Sequence, residues 1–168
     1  MISPSNIKIA VVGLGYVGLP LAVAFSNKYV VQGFDIDENR IFQLSENIDA
    51  TKEIGQEELL RAVSNKKLFL THDLSTIKDS NVFIVTVPTP IDRFKKPNLA
   101  PLIKASEMLG SIIKDGDVVI YESTVYPGCT EEDCVPVLEK HSGLVYNQDF
   151  FVGYSPERIN PGDKINTL

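Results

Sequence analysis

Cysteine is scarce in this chain: only Cys129 and Cys134 occur among 168 residues, with no tryptophan, two methionines and two histidines. Two thiols five positions apart make no disulfide framework and no zinc-ligand spacing, and on a regular helix they point about 140° apart. Reduced thiols and a cytoplasmic setting are expected. His72 and His141 are too far apart to form a ligand pair and read as capping or solvent-facing residues. Long hydrophobic runs are also missing, the apolar segments being far shorter than the ~20 residues that span a bilayer. The stretch before Ile7 has no basic flank, so neither a signal peptide nor a membrane span is expected. Positive charge is thin: the formal net charge is −6, and only Lys66-Lys67 and Lys95-Lys96 stand paired. Without a basic stripe to follow a phosphate backbone, nucleic acid is not an expected partner.

What remains is ordinary globular composition, 43% apolar and 23% charged, enough for one domain with a buried core. Ile7 to Val12, Val30 to Phe34, Val82 to Val87 and Val118 to Tyr121 are short, almost continuously apolar runs. Such strands are buried on both faces, as in a parallel sheet. Leu68 to Leu70 and Phe150 to Gly153 add two shorter strands. Helices are predicted over Val17 to Ser26, Asp37 to Leu44, Gln56 to Val63, Pro101 to Ile113 and Glu131 to Lys140. Asp37 suits a cap, Pro101 a first helical turn, and Asp115-Gly116 a stop. The alternation implies right-handed βαβ units and an α/β fold: a Rossmann-like, doubly wound parallel sheet of about six strands. Three prolines make Pro88 to Pro97 an irregular loop at a strand's carboxyl end, where open α/β sheets bind ligands.

Gly13-Leu-Gly-Tyr-Val-Gly18 follows the first strand and opens a helix, the context that gives G-x-G-x-x-G its meaning as a dinucleotide turn. Gly13 permits the tight turn, Gly15 lets a pyrophosphate approach the backbone, and Gly18 lets helix and strand pack closely, with phosphate at the helix N-terminus. Seventeen residues later the second strand ends at Asp35, where a carboxylate accepts bonds from ribose hydroxyls and repels a 2′-phosphate. NAD is therefore the expected cofactor. Asp35 also reads as a helix cap, and Arg40 reads equally as a ribose contact or a surface charge. Glu122 to Gly128 gathers hydroxyls at another strand's carboxyl end, where Ser123 and Thr124 face a nicotinamide or serve as turn residues. Tyr154 to Gly162 is a polar, proline-bounded segment. Cys129, at a helix start, reads as a small buried hydrophobe before it reads as a nucleophile.

Four ordered segments, Val11-Val-Gly-Leu-Gly-Tyr-Val-Gly-Leu-Pro20, Val87-Pro-Thr-Pro90, Glu122-Ser-Thr-Val-Tyr-Pro-Gly128 and Ser155-Pro-Glu-Arg-Ile-Asn-Pro-Gly162, resemble the UDP-glucose/UDP-mannuronate dehydrogenase family across nearly the whole chain. Within it the chain looks most like the branch that oxidises UDP-N-acetylhexosamines for surface polysaccharides, of the Vi-antigen type. The resemblance implies oxidation of the sugar's C6 hydroxymethyl to a carboxylate with two NAD, water entering at the end. It implies that Gly13, Gly15, Tyr16, Val17 and Gly18 line the pyrophosphate, Asp35 and Arg40 the adenosine ribose, and Pro88, Thr89, Ser123 and Thr124 the rest of the cofactor. Thr124 would help position water. Glu157 would assist hydrolysis of a covalent intermediate, and Glu157, Arg158, Ile159 and Asn160 would meet the UDP-sugar.

Two departures qualify the resemblance. Glucose-type members carry a second glutamate four residues after the first, in a Pro-Glu-aromatic setting; here that place is Pro161 and Arg158 replaces the aromatic, which argues against UDP-glucose. The family's cysteine nucleophile stands in a Gly/Ser-Cys-Phe-Pro-Lys-Asp segment well downstream, and neither Cys129 nor Cys134 has that context. The chain is thus expected to be the NAD-binding fragment of a larger enzyme, a homodimer or higher, completed by a dimerisation helix and a UDP-binding domain. A stand-alone NAD-sensing module and a β-hydroxyacid dehydrogenase are the alternatives. The first leaves Pro156 to Asn160 without a task, and the second calls for a methionine where Tyr16-Val17 stands.

Overall fold

The computed structural model describes residues 3, 6–90 and 97–156. Six strands, β1 (Lys8–Val12), β2 (Val30–Phe34), β3 (Leu68–Thr71), β4 (Val82–Val85), β5 (Val118–Glu122) and β6 (Phe151–Ser155), form one sheet in the order β3-β2-β1-β4-β5-β6. Every pairing is parallel. Strand order reverses between β1 and β4, which leaves a crevice beyond their carboxyl ends.

The unbroken apolar runs are explained by the layers. Along β1, Ala10 and Val12 enter one core with Phe83, Leu102, Leu109, Tyr121 and Leu138. Ile9 and Val11 enter the other with Leu14, Leu19, Val31, Leu44 and Leu59. Because alternate side chains leave opposite faces and both faces are covered, no position on β1 after Lys8 tolerates a charge. Helices α1 (Gly18–Ser26), α2 (Glu38–Ser45), α3 (Gln56–Ser64), α4 (Leu74–Ile77), α5 (Ala100–Gly110) and α6 (Val135–Ser142) supply the cover.

The expected caps are seen: Asp37 accepts from the Asn39 amide at 2.9 Å, and a proline occupies the first turn of α5. The one-turn helix α4, held by Asp73 accepting from the Ser75 amide and hydroxyl at 2.8 Å, is too short to show a period. Helix α5 ends three residues before the expected Ile113, because Ile112 and Ile113 both donate to the Leu109 carbonyl in a closing turn. Ahead of α6 the chain makes a π-helical turn, Thr130–Cys134, in which the Val135 amide donates to the Thr130 carbonyl. This wider turn corrects the divergence expected of the cysteines: both are buried, and their thiols lie close enough to interact.

Candidate functional site: a dinucleotide cleft

The glycine turn is built by hydrogen bonds that extend the sheet past β1. Gly13 donates its amide to the Phe34 carbonyl at 2.8 Å, and the Thr86 amide donates to the Val12 carbonyl at 2.9 Å. The chain then turns at Gly13, whose φ of 96° disfavours any side chain. The Thr86 hydroxyl donates to the Gly13 carbonyl at 2.6 Å and so ties the end of β4 to the turn. Gly18 fits only because it lacks a side chain, since a Cβ there would stand 1.8 Å from the Gly13 carbonyl oxygen. A Cβ on Gly15 would meet nothing within 4 Å. No side chain caps α1 and its first turn carries no acidic residue, so its N-terminal field is left for an anion.

Beyond these ends lies a cleft of about 880 Å3, lined by Gly13, Gly15, Tyr16 and Val17 of the turn, Asp35 and Ile36 after β2, Thr86 to Thr89 after β4, and Glu122, Ser123 and Thr124 at the end of β5. One wall is α5, through Pro101, Lys104, Ala105 and Met108. Four segments far apart in sequence thus border one cleft. Gly18 stands behind the turn and acts through close packing.

Asp35 accepts from the Leu14 amide at 2.7 Å and the Asp37 amide at 2.9 Å. Its carboxylate retains lone pairs for a ribose. Arg40 is no solvated surface charge: it is 9% exposed, its Nε donates to the Leu14 carbonyl at 2.9 Å, and its Nη2 meets Asp49 Oδ1 at 2.7 Å. Its Nη1 is buried without a partner. Ser123 Oγ is likewise buried and unpaired, although it lines the cleft. A buried hydroxyl with no partner costs about 1–3 kcal/mol unless something fills the vacancy. Together with the open space over Gly15, it fits a polar ligand in the cleft. Thr89 donates its hydroxyl to the Thr124 carbonyl at 3.0 Å, joining two loops.

Cys129 is fully buried, and burial with the neighbouring Cys134 and Asp133 pushes its thiol up to about 12. A nucleophile needs the opposite shift. Among the described residues no group of three His, Cys, Asp or Glu is arranged to hold a metal, and no helix is long and apolar enough to cross a membrane. Glu157, Arg158, Ile159 and Asn160 lie outside the described residues.

Sequence reasoning missed Thr86, Thr51 and the α5 wall. Thr86 had only its place at the end of an apolar run to mark it. Asp49-Ala50-Thr51 was a readable signal, since an aspartate two residues before a threonine in a helix connection favours an Asx turn.

A sheet of this order with an open glycine turn and a carboxylate after β2 defines a dinucleotide-binding domain. Residues 7–168 match the NAD-binding domain of the UDP-glucose/GDP-mannose dehydrogenase family, and the chain belongs to that family. It is 63% identical over 159 residues to a UDP-N-acetyl-D-glucosamine 6-dehydrogenase of Pseudomonas aeruginosa, covering 95% of this chain and 37% of that one. It is 54% identical over 168 residues to the enzyme of that name from Salmonella typhi, covering 100% and 39%. The solved UDP-D-ManNAc dehydrogenase of Pyrococcus horikoshii superposes with a TM-score of 0.85 at 37% identity, over 93% of this chain and 37% of that one. The chain therefore spans well under half the length of these relatives.

Proposed function

We propose that this chain is the single-domain, NAD-binding part of an enzyme that oxidises C6 of a UDP-N-acetylhexosamine to the uronate, using two NAD per sugar. Bound NAD supplies the hydride acceptor. The residues of this chain hold and orient it: the turn at Gly13 to Gly18 and the N-terminus of α1 take the pyrophosphate, Asp35 and Arg40 the adenosine ribose, and Pro88, Thr89 and Ser123 the remainder. Thr124 positions water at the carboxyl edge of β5. Glu157 assists hydrolysis, and Arg158 to Asn160 contact the sugar nucleotide.

The observation that carries this reading is the unpaired, buried Ser123 Oγ in the same cleft as the open backbone of Gly15. The relatives' names support the sugar. With no exposed or activated thiol among the described residues, the chain alone binds NAD without turning over UDP-N-acetylglucosamine, and the full enzyme assembles as a homodimer or larger.

Calorimetry with NAD and NADP, followed by an assay of the isolated chain with UDP-N-acetylglucosamine and NAD, tests both halves. Tighter NADP binding would remove the cofactor assignment. Turnover at the rate of complete enzymes would show that the nucleophile is already present.

A further inference from the structure

Asp49 lies between α2 and α3, where none of the motifs runs, yet its side chain is 1% exposed. Its carboxylate accepts from the Thr51 amide at 3.0 Å, the Thr51 hydroxyl at 2.7 Å, the Glu53 amide at 2.9 Å and the Ile54 amide at 3.0 Å. The fifth donor is Arg40 Nη2, at 2.7 Å. The segment is shaped to deliver this carboxylate, since Asn47 and Lys52 on either side adopt φ of 59° and 61°, a conformation uncommon outside glycine. Burial works against the charge, but the hydrogen bonds from Ile54, Thr51 and Arg40 outweigh it and hold the carboxyl below its ordinary range.

Arg40 in turn lines a hollow of about 310 Å3 with Asp35 and Thr51. Gly15, Asp35 and Thr51 border this hollow and the main cleft alike, so the two are one continuous surface. An arginine beside the adenosine ribose is the usual means of accepting a 2′-phosphate. Here the guanidinium is paired with the buried Asp49 carboxylate at 2.7 Å, so its charge is already answered. Its Nη1 is buried without a protein partner.

We propose that Asp49 is a cofactor-specificity residue: by cancelling the charge of Arg40 it keeps the ribose end of the cleft selective for NAD over NADP, while leaving Arg40 Nη1 unpaired. It acts through Arg40 and is a positioning residue. The inference rests on the reading that Asp35 and Arg40 stand at the adenosine ribose.

The test is calorimetry of the full chain with NAD and NADP. Asp49→Asn frees the guanidinium charge and should raise the affinity for NADP relative to NAD about tenfold, as one uncompensated charge across a few ångströms does. Adding Arg40→Gln should abolish that gain. A purely structural Asp49 would weaken both cofactors alike, and an unchanged ratio, or loss of both with the fold intact by circular dichroism, overturns the proposal. If Asp49→Asn does not fold, Arg40→Gln alone decides: it leaves Asp49 uncompensated and should lower the ratio severalfold, on the same Coulombic scale, and an equal or higher ratio overturns the proposal. A wild-type chain that prefers NADP would instead overturn the placement of the ribose, and this inference with it.

Discussion

The carboxylate of Asp35 accepts the backbone amide of Leu14 at 2.7 Å. Leu14 is the residue between the first two glycines of the turn, and its carbonyl is held from the other side by Arg40. The two side chains assigned to the ribose therefore also fix the two successive peptides that flank Leu14 in the glycine turn. Replacing either one alters the turn as well as the ribose contact.

The glycines separate stability from binding. Gly15→Ala adds a methyl group to open space at an ordinary φ, so the unfolding free energy should move by no more than about 0.5 kcal/mol. NAD affinity should fall sharply, because the methyl fills the space over the turn. Gly18→Ala forces a Cβ to 1.8 Å from the Gly13 carbonyl and should cost about 2–4 kcal/mol through overpacking and backbone shift. Urea melts and NAD titrations of both variants measure the contrast. Equal destabilisation by the two would contradict this geometry.

Ser123→Ala removes a buried hydroxyl that has no partner. Without ligand it should leave stability unchanged or raise it slightly. NAD binding should weaken by about 1 kcal/mol, the worth of one hydrogen bond. Thermal melts with and without NAD report both effects. Unaltered affinity would exclude the hydroxyl from the cofactor site.

Asp49 gives a pH signature. Its folded pKa is depressed, so its contribution to stability is complete above the unfolded carboxylate pKa and is lost as pH falls through the lower folded value. Asp49→Asn should cost about 3 kcal/mol near neutrality, the scale for breaking a buried pair. The gap from wild type should narrow in acid, below the usual carboxylate range. Urea titrations from neutral pH downward test this, and a gap independent of pH would show that the charge is not what stabilises the loop.

The thiols should be inert. Both cysteines are buried, and burial raises both pKa values. Iodoacetamide should label neither in the native chain at neutral pH and both in denaturant. Rapid native labelling of Cys129 would reopen its candidacy as a nucleophile.

The parallel sheet was legible because both of its faces are covered: a run such as Ala10-Val11-Val12 has no polar positions to confuse the reading. The glycine turn was legible because its spacing and its place after a strand are local. Arg40 was not settled by spacing, since the residue that decides its role is Asp49, placed across a bend by a loop with no period. The α5 wall was invisible for a related reason: the helix could be read, but the side it turns to the cleft depends on where β4 and β5 lie. At Cys129 and Cys134 the error came from assuming a regular helix through a π turn.

The bond from Thr86 to the Gly13 carbonyl bears on how the protein is made. A parallel pair cannot close as a hairpin, so β1 must wait for β4, with Ile9 beside Val82, and the turn for Thr86. Gly13 is made 73 residues ahead of Thr86, so the nucleotide fingerprint takes its final shape only once β4 has followed, and the growing chain passes through a long interval with an unfinished β1.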